Sequence, residues 1–167
     1  YLYNIEEVYG SNFEDNIKGN EKENWIYPDN FGDTSAPSST GAADVIDGGS
    51  GDNDTLSYWG TTYSQSTSLS GVSIDLSAGT ATDPGGFTDT ISNIDDIQGT
   101  NVADSLKGND GDNIIYGDGG SDTLTGGAGK DTFSFGNGKY WHPHIKSTSD
   151  GDTITDFSTT DDQLKFD

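Results

Sequence analysis

Between Gly99 and Ser134 the chain repeats itself every nine residues, as GTNVADSLK, GNDGDNIIY, GDGGSDTLT and GGAGKDTFS. The eighth position is always apolar: Leu106, Ile115, Leu124 and Phe133. The sixth is Asp104, Asn113, Asp122 and Asp131. Six residues rich in Gly, Asp and Asn suit a turn that visits positive φ, and the three that follow carry one apolar side chain. That pattern predicts a turn and a very short strand, repeated without a slip of register.

The N-terminal half carries the same pattern less regularly. GSNFEDNIK and GNEKENWIY place Asp15 and Asn24 two residues before Ile17 and Ile26. Asp44 with Ile46 and Asp54 with Leu56 continue the series, GGSGDNDTL from Gly48 carries one extra residue, and PDNFGDTSAPSST from Pro28 to Thr40 reads as a loop insertion. A longer period lies over the short one. The segment from Asn4 to Asn24 aligns without gaps to that from Asn93 to Asn113, with 9 of 21 positions identical. Alternation in VSIDLS (72–77) and DTITDF (152–157) predicts ordinary strands that interrupt or cap the repeats. The organisation expected is a first repeat segment over 1–59 with its insertion at 28–40, linking strands over 60–98, a second repeat segment over 99–134, and a C-terminal cap over 135–167. Phe133, Phe135, Tyr140, Trp141, Phe157 and Phe166 are expected to cover the last coil.

Two nonapeptides make one coil of a solenoid, so successive coils stack parallel strands around a narrow apolar column. Such a column is thin, because only one residue in nine is buried and nine backbones must be ordered for it. Composition sharpens the problem. Hydrophobic residues make up 29% of the chain, mean hydropathy is −0.69, and the formal charge is −22, from 29 Asp plus Glu against 7 Lys plus Arg. Stacked turns bring like charges together, and compactness requires something to neutralise them. The same charge argues against binding nucleic acid or an anionic membrane surface. No cysteine is present to staple the fold or bind a soft metal. No apolar run approaches a membrane span, and Tyr1 to Gly10 lacks the layout of a signal peptide.

Multivalent cations are the natural neutraliser. Carboxylates and turn carbonyls, without His or Cys, are hard ligands in a flexible cage, which selects calcium over zinc and over magnesium. Turns on the same side recur at every second nonapeptide, which pairs Asp104 with Asp122 and Asn113 with Asp131.

GGAGKDTFS, GDGGSDTLT and GGSGDNDTL resemble the RTX, or haemolysin-type, nonapeptide GGxGxDxUx. The resemblance implies an all-β fold, a right-handed parallel β-roll with interrupting and capping strands, that holds several calcium ions. Carried over residue by residue, the family pattern implies ligands at Thr100, Val102 and Asp104 together with Gly117, Gly119 and Asp122. A second set is Asn109, Gly111 and Asn113 with Gly126, Ala128 and Asp131. Asp15, Asp44 and Asp54 are the N-terminal metal candidates. Asn24 and Asn113 depart from the pattern by replacing Asp, and Glu21, Lys22 and Glu23 replace expected glycines. The resemblance also implies a bacterial protein exported unfolded by a type I secretion system and folded outside the cell, at the cell surface or in the medium, where calcium is plentiful.

The remaining candidates read more plainly. Asp29, Asp33, Asp83 and Asp89 fall outside the ladders and are expected to be solvated loop residues. His142 and His144 flank Pro143 without a third ligand nearby and read as a surface loop. Trp25, Trp59 and Trp141 could stack on sugar rings, which leaves open a polysaccharide-affinity module of a secreted epimerase, lyase or metalloprotease, or a structural element of a large adhesin. No nucleophile elbow, P-loop or Rossmann fingerprint occurs, so the chain is expected to be non-catalytic.

Overall fold

The structure is a computed structural model that describes residues 5–29, 42–59, 70–135 and 151–166. Fifteen short strands follow one another: β1 (Glu7–Tyr9), β2 (Asn16–Lys18), β3 (Trp25–Tyr27), β4 (Val45–Asp47), β5 (Thr55–Ser57), β6 (Ser73–Asp75), β7 (Thr80–Thr82), β8 (Thr88–Ser92), β9 (Asp96–Gln98), β10 (Ser105–Lys107), β11 (Ile114–Tyr116), β12 (Thr123–Thr125), β13 (Thr132–Phe135), β14 (Thr153–Ile154) and β15 (Gln163–Phe166). No helix occurs among the described residues, and none is therefore long and apolar enough to cross a membrane.

The strands form two sheets, ordered β1-β3-β5-β9-β11-β13-β15 and β14-β12-β10-β6-β7-β8-β4-β2. Outside the stretch from β6 to β8 the strands alternate between the sheets, and the short crossings, such as those from β9 to β13, are the polar turns of the repeat. The first sheet is parallel throughout, with Ile26 beside Leu56, Leu56 beside Ile97, Ile97 beside Ile115 and Ile115 beside Phe133. Those five side chains are fully buried, and Ile46, Leu106 and Leu124 meet them from the second sheet, also at 0% exposure. The eighth-position ladder is thus the core, a column one side chain wide per strand.

The second sheet departs from simple alternation at one place. Between β5 and β9 the chain builds three strands where every other crossing builds one. β6 and β7 are antiparallel, as are β7 and β8, while β6 pairs parallel with β10 and β8 with β4. The β6–β8 meander therefore adds two strands beyond simple alternation, giving the second sheet eight strands against seven, and Tyr58 (0% exposed), Val72 and Ala81 are buried there.

The strand expected at 152–157 is β14, which pairs in register with β12 and sets Ile154 beside Leu124, while β15 pairs with β13, so the two close the ends of the sheets as further rungs. Its aromatics do cover the end, with Phe157 6.1 Å from Phe133 and Phe166 stacked 5.5 Å from Phe135. Tyr140 and Trp141 lie outside the described residues. The linking strands expected within 60–98 are, where described, β6–β8 and β9, members of the same two sheets as the repeats.

Candidate metal centre

The sixth-position side chains lie at the strand entrances, one above another. Four of them lend Oδ1 to the backbone N–H of their counterpart in the preceding coil: Asp122 accepts from Asp104 N at 2.9 Å, Asp131 from Asn113 N at 3.0 Å, Asp44 from Asp15 N at 2.8 Å and Asp54 from Asn24 N at 2.8 Å. The second oxygen folds back over the residue's own turn. Asp104 Oδ2 accepts from Thr100 N at 2.6 Å, and Asp15 Oδ2 accepts from Ser11 N at 2.6 Å. That close return is why the first position is glycine: a Cβ at Gly126 would stand 2.2 Å from Asp131 Oδ2. Gly127 follows at φ 106°, where a side chain is strained.

For Asp44, Asp54 and Asp122 the Oδ2 atom is buried and has no hydrogen-bond partner. An uncompensated buried carboxylate oxygen is costly. Burial lifts Asp122 from its ordinary 3.8 to about 7, and Asp44, Asp54 and Asp104 to about 6, with neighbouring aspartates adding to the rise for all but Asp104. The two ion pairs among the described residues, Lys18 with Asp47 and Lys107 with Asp75, do not involve the ladders. Calcium fits this donor set: hard oxygens, buried, lacking partners and short of positive charge. No three acidic or histidine side chains among the described residues converge to hold a metal, in keeping with turns that offer paired carboxylates and backbone carbonyls.

The carried-over ligand sets fall on adjoining turns. Gly119 N donates to Thr100 O at 3.2 Å, and Val102 O accepts from the Thr100 hydroxyl at 3.2 Å, so the first set is knit together around Asp104 and Asp122. The second set behaves differently. Asn113 Oδ1 accepts from Asn109 N, while its amide Nδ2 donates to Asp95 O at 2.6 Å; Gly111 N donates to the Asn109 side chain at 2.7 Å. Asn24 does likewise, donating to Ile5 O at 3.1 Å. At these rungs the amide N–H occupies an oxygen of the neighbouring coil, which a carboxylate cannot do. Gly117, Gly126 and Ala128 lie in the turns that follow, with Gly117 and Gly126 closely facing the Asp122 and Asp131 carboxylates.

The ladders run further than a step of nine reveals. Asp89 accepts from Asp44 N, Asp95 from Asp54 N, Asp152 from Asp122 N and Asp162 from Asp131 N, across separations of 45, 41, 30 and 31 residues. A shorter signal would have found them, an acid two residues before an apolar side chain: Asp89 with Ile91, Asp95 with Ile97, Asp152 with Ile154 and Asp162 with Leu164.

Three acids expected to be solvated are not. Asp29, Asp83 and Asp89 are 4%, 4% and 1% exposed, because the meander closes over them. Asp89 Oδ2 takes the hydroxyl of buried Tyr58, and Asp83 Oδ1 accepts from Phe87 N at 2.8 Å. Asp33, His142 and His144 lie outside the described residues. Among the tryptophans, Trp25 is 4% exposed, packed against Tyr27 and Tyr116, and offers no open face to a sugar. Trp141 is outside the described residues.

No curated protein matches the chain. A family model of the RTX calcium-binding nonapeptide repeat, a unit of four copies, matches residues 39–57, 89–124 and 98–133. Those segments supply β4, β5 and β8 to β13, the stacked turns and ladder aspartates just described. These stretches of the chain therefore carry RTX calcium-binding nonapeptide repeats, and the parallel two-sheet roll is the structure in which they lie.

Proposed function

We propose that the chain is a non-catalytic module whose folding is conditional on calcium, carried by a larger secreted bacterial protein. The observation that carries the reading is the set of buried carboxylate oxygens without partners, Oδ2 of Asp44, Asp54 and Asp122, in a chain of formal charge −22. Asp104 with Asp122, and Asp44 and Asp54 with their neighbours, would hold the ions, with turn carbonyls such as those of Thr100 and Val102 beside them. Bound calcium supplies the positive charge that lets these turns stack. Its binding energy then becomes folding energy, because the unfolded chain has no such site. Where calcium is scarce the chain repels itself and stays extended, a state suited to export through a type I channel; outside the cell it closes into a rigid roll.

Far-ultraviolet circular dichroism tests this, starting in chelator and titrating calcium, then magnesium at equal ionic strength. A cooperative rise in β signal with calcium and not with magnesium is expected. A β signal that is complete in chelator would overturn conditional folding.

A further inference from the structure

At the junction of the meander and the N-terminal coils the roll buries more carboxylates than the repeat prescribes. Asp44 and Asp89 belong to the ladder, but Asp29 follows β3 directly, and Asp83 sits at the β7–β8 turn. Asp29 and Asp83 both lie outside the residues that match the repeat family. All four are at most 4% exposed. Burial raises Asp29 first, and the charges of Asp83, Asp44, Asp89 and Asp15 add to the rise.

Two of these acids already have donors suited to them. Asp83 is held by Phe87 N, and Asp89 by Tyr58 and by Asp44 N. Each of the other two leaves one oxygen unanswered: Asp29 Oδ1 and Asp44 Oδ2 are buried without any hydrogen-bond partner. Gly10 lies against both Pro28 O and Asp15 Oδ2, and Asp15 N donates to Asp44 Oδ1 at 2.8 Å, which sets the turn of Asp29 beside that of Asp44. Two orphaned oxygens on neighbouring turns, with the Asp89 carboxylate bonded to Asp44 N, make a place for a hard divalent cation rather than for a hydrogen-bond donor.

We propose that Asp29 and Asp44 hold a divalent cation, of the size and hardness of calcium, between the N-terminal coils and the β6–β8 meander, with Asp83 and Asp89 adding charge behind them. The identity of the cation rests on the calcium reading above; the ligand Asp29 does not, because no repeat contains it. The site ties the inserted strands to the coil stack at the one place where the two sheets differ in strand number.

Calcium stoichiometry by equilibrium dialysis of the whole chain tests it, comparing the unsubstituted chain with Asp29→Asn and Asp122→Asn, alongside amide hydrogen exchange. Asn keeps the size of Asp and relieves charge, so Asp29→Asn retains the fold. The expected result is one ion fewer per chain in Asp29→Asn, with calcium-dependent protection lost in β7 and β8 and kept in β10 to β13. Asp122→Asn should show the reverse pattern of protection. An unchanged ion count in Asp29→Asn, with its metal-free form merely stabilised, would overturn the site and leave the cluster held by protons. If the unsubstituted chain binds no calcium at all, it is the calcium reading of the roll that fails.

Discussion

The carboxylate of Asp122 divides its two oxygens between tasks, one receiving the Asp104 backbone N–H and the other left buried without a partner. Asp122→Ala removes both, stranding a buried N–H at about 1–3 kcal/mol. Since 1.4 kcal/mol is about tenfold in an equilibrium constant, the calcium midpoint for folding should rise by about tenfold or more. Asp110→Ala, on an exposed turn residue, should leave it in place; equal shifts in a circular dichroism titration would refute the role of the register. Asp83 cannot serve as that neutral control, because it is buried under the meander. Its burial was invisible in the sequence, where it looks like any other loop acid. The ladder aspartates, in contrast, were legible, since Asp104, Asp122 and Asp131 recur with a fixed apolar neighbour.

Each strand is too short to hold itself together, and its stability comes from the side chain it sends inward. Leu106 is fully buried between Ile74 and Leu124. Leu106→Ala should lower the calcium-saturated stability by about 2–5 kcal/mol in denaturant unfolding. The meander has its own pin. Tyr58→Phe keeps the ring but deprives Asp89 Oδ2 of its donor, at an expected cost of about 1–3 kcal/mol in the same measurement; no loss would mean that the hydroxyl contact is dispensable. The alternation of VSIDLS announced β6, yet its antiparallel partner β7 (TAT) carries too little apolar signal to be read as a strand. The alternation of DTITDF announces β14, but the 30 residues between Asp122 and Asp152 are not a multiple of nine, so the step of nine does not mark Asp152 as a ladder residue.

For the whole molecule, the buried carboxyls link folding to pH. Burial raises Asp44, Asp54 and Asp104 to about 6, Asp96, Asp118 and Asp122 to about 7, and Asp29 to about 8, from an ordinary 3.8. Raised in the fold and ordinary in the unfolded chain, these groups favour the metal-free roll fully below about pH 4, and that favour is lost as pH rises through about 6 to 8. In chelator, β signal should therefore be greater at pH 5.5 than at pH 8. With calcium the dependence should reverse, because ligands must be ionised, and binding near pH 6.5 should release protons measurable in weak buffer. A metal-free β signal that grows from pH 5.5 to pH 8 would contradict these shifts. The sequence by itself determined the unit of structure, because a turn of Gly and Asp followed by one apolar residue has a single economical way to stack, and it determined the ligand chemistry, because hard oxygens dominate it. Only the tertiary structure decided which acids share a site. Asp15, Asp44 and Asp89 are joined across 29 and 45 residues, through a meander that breaks the period, and no local pattern records which distant turns will lie side by side.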